Sequence, residues 1–138
     1  RYTEDNPGEN WITKDFDDSA WKKGSSGFGT RRVKGLSTRW DSSDIWLRKT
    51  FQLTDLESIG WASLQYFHDE NMQIYLNGEL LLNERGATPY SKEFPLQEEQ
   101  IKLLRKENNV IAVHCQNKEG GQYIDVGLSI LKKVEGQR

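Results

Sequence analysis

The sequence predicts an all-β fold, an antiparallel β-sandwich formed as one domain over residues 1–138. Short segments rich in β-branched and aromatic residues recur along the chain, and turns containing Gly or Asn separate them. No segment has the sustained helical periodicity of a long amphipathic helix. A length of 138 residues suits a single domain with a single core.

The individual strands are predicted from alternating or continuous apolar residues. They are residues 45–53, 61–67, 72–76, 79–82, 90–96, 109–117 and 122–131. Asn77-Gly78 is the dipeptide best able to supply the positive φ angles of a tight hairpin turn, and Gly120-Gly121 joins the last two strands. Residues 98–106 favour a short helical turn. The first 44 residues, rich in Gly, Ser and Asp, indicate an irregular layer held by its aromatic rings.

Composition narrows the class of protein and of partner. Hydrophobic residues make up 35% and charged residues 29%, which is typical of a soluble globular protein and argues against a disordered tail or a membrane span. Nineteen Lys and Arg against 21 Asp and Glu leave a net charge of −2, so we expect no nucleic-acid partner. Cys115 is the only cysteine, which excludes an internal disulfide, and we expect it to pack in the core.

The loops are predicted to fall into two unlike groups. If successive strands alternate in direction, one end of the sandwich collects the polar and aromatic loop residues 39–41, 68–71, 84–90 and 117–121. The other end collects the plainer connections 54–58, 77–78 and 98–108. Binding sites on rigid β scaffolds tend to lie on loop clusters, so the first end is the candidate binding surface.

The order of these segments resembles the sugar-binding β-sandwich of family 2 glycoside hydrolases, a galactose-binding-like jelly roll. The segments that carry the resemblance are Phe16–Trp21, Ile45–Phe51, Phe67–Glu79 and Asn108–Leu128. The last of them is similar to modules of large secreted Bacteroidetes hydrolases, including ones named as glutaminases or glycosidases. The resemblance implies a secreted or periplasmic accessory module beside a catalytic domain of the same polypeptide. A chain that starts at Arg1 fits a piece excised from a larger protein.

The candidate binding residues lie at the first end. We expect Trp40 and Tyr90 to stack on the apolar face of a sugar, with Tyr123 bordering the same surface. The polar groups expected to bind sugar hydroxyls are Arg39, His68, Asp69, Glu70, Arg85 and Asn117. Each ring could instead belong to the core, because a sandwich of this size needs aromatic residues to close its ends.

Asp15, Asp17 and Asp18 form a candidate calcium site, because Ca²⁺ prefers several hard oxygen ligands at once. The spacing is not that of an EF-hand, and the sequence identifies three carboxylates where calcium takes about six to eight oxygens. The alternative is that Asp17 or Asp18 bonds backbone amides in a turn before Trp21 packs.

Two further pairs are weighed on the strands. His114 and Asp125 could be cross-strand neighbours and act as an acid–base pair, although a buried structural pair is the commoner outcome. Trp46 and Arg48 share one strand face, where Arg48 would stack on the indole or pair with a buried carboxylate as part of the framework.

Three functions follow from these patterns. The first is a non-catalytic accessory module of a bacterial carbohydrate-processing hydrolase that binds glycan weakly through one loop end. The second is a purely structural domain that packs against its catalytic neighbour and binds no ligand. The third is an independent hydrolase that uses His114 and Asp125 or the Asp15–Asp18 cluster.

Overall fold

The computed structural model describes residues 1–30, 37–88, 90–118 and 120–133. Within these residues the chain forms ten strands and one short helix. In order they are β1 Tyr2–Thr3, β2 Phe28–Gly29, β3 Thr38–Arg39, β4 Asp44–Phe51, β5 Ile59–Asp69, β6 Asn71–Leu76, β7 Glu79–Glu84, β8 Lys92–Pro95, α1 Glu98–Ile101, β9 Asn109–Gln116 and β10 Tyr123–Lys132.

The strands form two five-stranded sheets. Sheet A has the order β1-β4-β9-β6-β7, and sheet B has the order β3-β2-β10-β5-β8. Neighbouring strands run antiparallel except for the short parallel pair β2 and β3. The predicted antiparallel sandwich is therefore confirmed.

One core fills the space between the sheets, and the period of two in each strand supplies its side chains. In β6, for example, Met72, Ile74 and Leu76 are fully buried, whereas the residues between them are only half-buried. Cys115 of β9 also lies in this core, as expected. Its burial, and then the nearby carboxylates, raise the pKa of its thiol, which keeps it protonated.

Two ends of the sandwich carry different loops, as the sequence predicted. A single residue, Glu70, separates β5 of sheet B from β6 of sheet A, so both sheets have corresponding ends there. Register places Asp44 and Asn71 opposite Gln116 at that end of sheet A. We call this end the lower end, formed by Glu70 and the described parts of loops 40–43, 85–91 and 117–122. The upper end carries α1 and the turn at Asn77.

The hairpin turn predicted at Asn77-Gly78 is confirmed, with φ angles of 49° and 87°. Gly120 also has a positive φ, but the strands it separates lie in different sheets. His114 faces outward from sheet A, where its cross-strand neighbours are Trp46 and Gln73. The expected pairing of His114 with Asp125 is therefore wrong, because the chain crosses between sheets at this turn.

The N-terminal segment, residues 3–21, covers the outer face of sheet A. Arg48 projects from β4 into this segment and donates to the carbonyl oxygens of Trp11, Thr13 and Phe16. Its Nε lies 2.9 Å from an Asp18 carboxylate oxygen. Arg48 thus has the predicted framework role, because it holds the irregular N-terminal layer on the sheet.

The helical prediction is confirmed only in part, since α1 spans four residues of the predicted segment 98–106. Within the described ranges, no helix has the length and apolar character needed to cross a membrane.

Candidate functional site

The loops of the lower end are tied to one another by buried amide contacts. Gln122 Nε2 donates to the carbonyl oxygens of Trp40 and Ser42, at 2.9 and 2.8 Å. The backbone N–H of Asn117 donates to the Ser43 carbonyl at 2.7 Å. These bonds fix the loop before β4 to the loop between β9 and β10.

The loop between β7 and β8 is held by similar means. The Thr88 hydroxyl accepts a bond from the His68 backbone N–H and donates to the His68 carbonyl, at 3.0 and 3.1 Å. The Asn71 side-chain oxygen accepts a bond from the Gly86 N–H. The lower end is therefore a set of loops on a rigid base, which suits a pre-formed binding surface.

The three predicted aromatic residues occupy different environments. Trp40 is fully buried and donates its indole N–H to the Asp44 carbonyl at 3.1 Å. Tyr123 is buried too, with its ring edge-on to Phe67 at 5.3 Å between centroids. Tyr90 is 66% exposed. The expectation of a stacking platform at Trp40 is corrected, because a ring enclosed by protein has no free face, and Tyr90 retains that possibility.

His68 is likewise a core residue rather than a surface hydrogen-bond donor. Its Nε2 lies 3.0 Å from a Glu84 carboxylate oxygen, and its Nδ1 faces the Glu70 carbonyl oxygen. The other Glu84 oxygen accepts a bond from the Tyr66 hydroxyl at 2.8 Å. His68 thus supports the lower end from beneath, where a sugar has no access to its ring.

The remaining predicted residues lie on or near the surface. Arg39 and Asp41 form an exposed ion pair with a separation of 2.7 Å. Arg85 is exposed, whereas Asp69, Glu70 and Asn117 are half-buried. These polar groups surround the lower end, but Asn117 is partly engaged, since its amide nitrogen donates to Gln122 at 2.6 Å.

The three N-terminal carboxylates do not share an ion site. Asp18 pairs with Arg48, and Asp17 accepts a bond from the Ser19 N–H at 2.9 Å. Hydrogen bonds from Ser19 lower the pKa of Asp17. In the described ranges, no group of three or more His, Cys, Asp or Glu side chains is placed to hold a metal ion. Asp17 therefore matches the turn-forming alternative, Asp18 pairs with Arg48 instead, and the arrangement of Asp15, Asp17 and Asp18 does not match the calcium prediction.

A histidine–carboxylate pair lies on the outer face of sheet A, with a different partner from the predicted one. His114 Nε2 is 2.7 Å from Asp44, and its ring stacks on Trp46 at 4.7 Å with an interplanar angle of 4°. Gln73 lies 3.2 Å from Nδ1. Antiparallel pairing of residues 44–51 with 109–116 is the signal that would have identified Asp44.

Sequence reasoning also missed a depression on the outer face of sheet B. Its volume is about 170 Å³. The lining residues are Gln65, Tyr66, Phe67, Ser91, Asp125 and Gly127. An open hollow of about 410 Å³ at the upper end is lined by Gln52, Leu53, Thr54, Lys106 and Glu107. The depression on sheet B adjoins the lower end through Phe67, two residues from Asp69.

The chain is similar to known proteins in its three-dimensional structure and not in its sequence. No protein-family model matches the chain, and no curated protein matches its sequence. A glycosyl hydrolase family 2 member from Bacteroides cellulosilyticus matches with a TM-score of 0.58 and 16% identity, over 91% of this chain and 19% of its own. A β-glycosidase from Bacteroides vulgatus matches with a TM-score of 0.59 and 15% identity, over 99% of this chain and 24% of its own.

The chain therefore spans about a fifth to a quarter of the length of these two glycosidases. At such low sequence identity the likeness establishes the fold alone. It does not extend the activity of the two enzymes to this chain. The chain has an antiparallel β-sandwich fold, and nearly its whole length shares this fold with a part of each of the two glycosidases.

Proposed function

We propose that the chain is a non-catalytic accessory module of a larger, secreted or periplasmic bacterial carbohydrate-processing hydrolase. The observation that carries this proposal is the alignment of nearly the whole chain with 19% and 24% of two Bacteroides glycosidases. A fold that recurs as one part of larger glycosidases fits a module whose partner is the catalytic domain of the same polypeptide.

In this proposal the lower end contacts glycan weakly. Tyr90 offers an exposed ring for the apolar face of a sugar. The polar groups available for its hydroxyls are Arg39, Asp69, Glu70, Arg85 and Asn117. Weak binding is expected because the one exposed ring among the three predicted aromatic residues stands on a surface and not in a deep pocket.

Titration calorimetry with soluble plant and host polysaccharides, chosen from a glycan array, tests this role. Tyr90→Ala should weaken binding roughly threefold to tenfold, because one ring contact is lost. Leu80→Ala is the matched control, since Leu80 is 50% exposed at the opposite end of the molecule. Absence of saturable binding in the folded protein, or equal affinities for Tyr90→Ala and wild type, would contradict glycan binding at the lower end.

A structural role without ligand is the second candidate, and exposed apolar side chains on the strands favour it. Leu131 of β10 is 58% exposed beside Trp61 on the outer face of sheet B. In this case the face packs against the catalytic domain. Leu131→Ser would then lower the melting temperature of the parent polypeptide and leave that of the isolated chain unchanged. Equal effects on both would count against this role.

A further inference from the structure

The depression on the outer face of sheet B is built from two cross-strand rows. Asp125 of β10 lies opposite Phe67 of β5, and Gly127 lies opposite Gln65. Ser91, just before β8, closes the third side. Core-facing residues alternate with Gln65 and Phe67 along β5 and with Asp125 and Gly127 along β10, so these four residues face away from the core.

The depression is open because Gly127 has no side chain. A Cβ atom built at this position meets one neighbouring atom within 4 Å, the side-chain oxygen of Gln65 at 4.0 Å. The glycine does not have the left-handed backbone conformation that would require it. The absence of a side chain at Gly127 therefore keeps the space above the sheet open. The backbone conformation of the strand does not require a glycine there.

The polar groups of the depression are held in fixed orientations. Gln65 donates its amide N–H to the Ser63 carbonyl at 3.3 Å and accepts a bond from the Ser129 hydroxyl at 2.8 Å. One carboxylate oxygen of Asp125 accepts a bond from the Ser26 hydroxyl. An amide has a second N–H and a second lone pair, and a carboxylate accepts several bonds, so both groups keep capacity for a ligand.

The half-buried ring of Phe67 supplies an apolar surface beside these polar groups, supported edge-on by Tyr123. A ring, a carboxylate, an amide and a hydroxyl around a small open space match a ligand that has an apolar face and many hydroxyls. A sugar ring has this combination. The volume of about 170 Å³ suits one such ring.

We propose that this depression binds a single pyranose residue of a neutral glycan, an inference that rests on the proposed carbohydrate role of the chain. Asp125 provides negative charge inside it, and exposed Glu93 lies in the same cross-strand row as Gln65. Among the described residues, Lys92 of β8 is a neighbouring cation, and it pairs with Glu84 at 3.7 Å on the core side of the strand. The charge pattern thus favours neutral sugars and disfavours uronic acids and sulfated sugars.

The test fills the depression without harming the fold. Gly127→Val should abolish binding of methyl glucoside, galactoside or mannoside, followed by amide chemical shifts in an NMR titration. Its melting temperature should be equal to or higher than that of wild type, because glycine is unfavourable within a strand. Gly60→Val is the matched control on β5, where the nearest atom to an added Cβ is the flexible side-chain Cγ of Lys133 at 3.0 Å and the Lys133 backbone N and Cα lie at 3.6 and 3.7 Å. Asp125→Asn should weaken binding about tenfold or more.

Methyl glucuronide is the specificity probe, and we expect it to bind at least tenfold more weakly than the neutral glycosides. Unchanged binding in Gly127→Val, or glucuronide bound as tightly as glucoside, would overturn the inference. If wild type binds a polysaccharide that Tyr90→Ala loses and Gly127→Val retains, only this inference fails. If wild type binds no glycan at all, the proposed glycan role fails with it.

Discussion

Arg48 shows how one buried charge organises a large part of the surface. Its guanidinium has almost no contact with solvent, yet it donates to three backbone carbonyl groups and pairs with Asp18. The ring of Phe16 lies 5.2 Å from the guanidinium carbon. A buried arginine is tolerated because nearly every N–H has an acceptor, and the acceptors all belong to the N-terminal segment.

Replacing this side chain should be costly. We expect Arg48→Met to lower the free energy of unfolding by about 3 kcal/mol, because Asp18 and several carbonyl groups lose their partner. Arg39→Met is the matched control, since its pair with Asp41 is exposed and contributes roughly 0–1 kcal/mol. Urea unfolding of both variants measures the difference. Equal losses in the two variants would show that Arg48 is not the main attachment of the segment.

At the residue scale, sequence patterns located the right side chains more easily than their partners. Trp46 and Arg48 were placed on one face from strand alternation, and they lie there. Asp18 is 30 residues from Arg48. No local spacing predicts such a contact. Trp40 and Tyr90 looked equivalent in sequence, and the difference between them arises from the loops that enclose Trp40.

At the element scale, the last residue of β7 connects the two sheets. Glu84 belongs to sheet A, and the groups that contact its carboxylate belong to sheet B: Tyr66 and His68 lie on β5, and Lys92 lies on β8. Burial opposes ionisation of Glu84, but hydrogen bonds from His68 and Tyr66 and the charge of Lys92 outweigh it and lower its pKa. Burial and the bond to Glu84 raise the pKa of Tyr66.

This connection predicts a pH-dependent contribution to stability. Because the folded state lowers the pKa of Glu84 below its usual 4.5, its contribution is present above that pH and is lost as the pH falls further. Glu84→Gln should therefore destabilise the protein by about 1–2 kcal/mol at pH 7 and by less at pH 3. Glu79→Gln, on the exposed start of β7, is the control. A loss independent of pH in urea unfolding would contradict the ionised connection.

The positions of the strands are predictable from sequence where apolar residues alternate. Which strands pair with each other is not predictable from that pattern. Asn77-Gly78 and Gly120-Gly121 are both turn signals, yet only the first joins strands that pair. Whether a chain turns back within a sheet or crosses to the other sheet depends on which faces must be buried, a property of the whole sandwich. The sequence therefore allows His114 to lie beside Asp125 as a cross-strand neighbour, whereas its partner is Asp44 on the adjacent strand.

At the scale of the whole molecule, the two outer faces differ. The N-terminal segment covers sheet A, where it contacts Arg48 and Tyr75, the two cross-strand neighbours of the fully buried, outward-facing Ala112. The described residues of sheet B keep an open outer face with the depression around Gly127 and the exposed Leu131. The depression around Gly127 and the face around Leu131 thus lie on the sheet that the N-terminal segment does not cover.

The covering segment should unfold together with the sandwich. It packs on Tyr75 of β6 through Trp11 and is attached through Arg48, so its separate loss would expose both apolar surface and an unpaired charge. Three of the five tryptophans, Trp11, Trp21 and Trp46, lie in or beneath it. We therefore expect the thermal transition followed by tryptophan fluorescence to coincide with that followed by far-UV circular dichroism. A fluorescence transition at clearly lower temperature would mean that the segment melts before the two sheets.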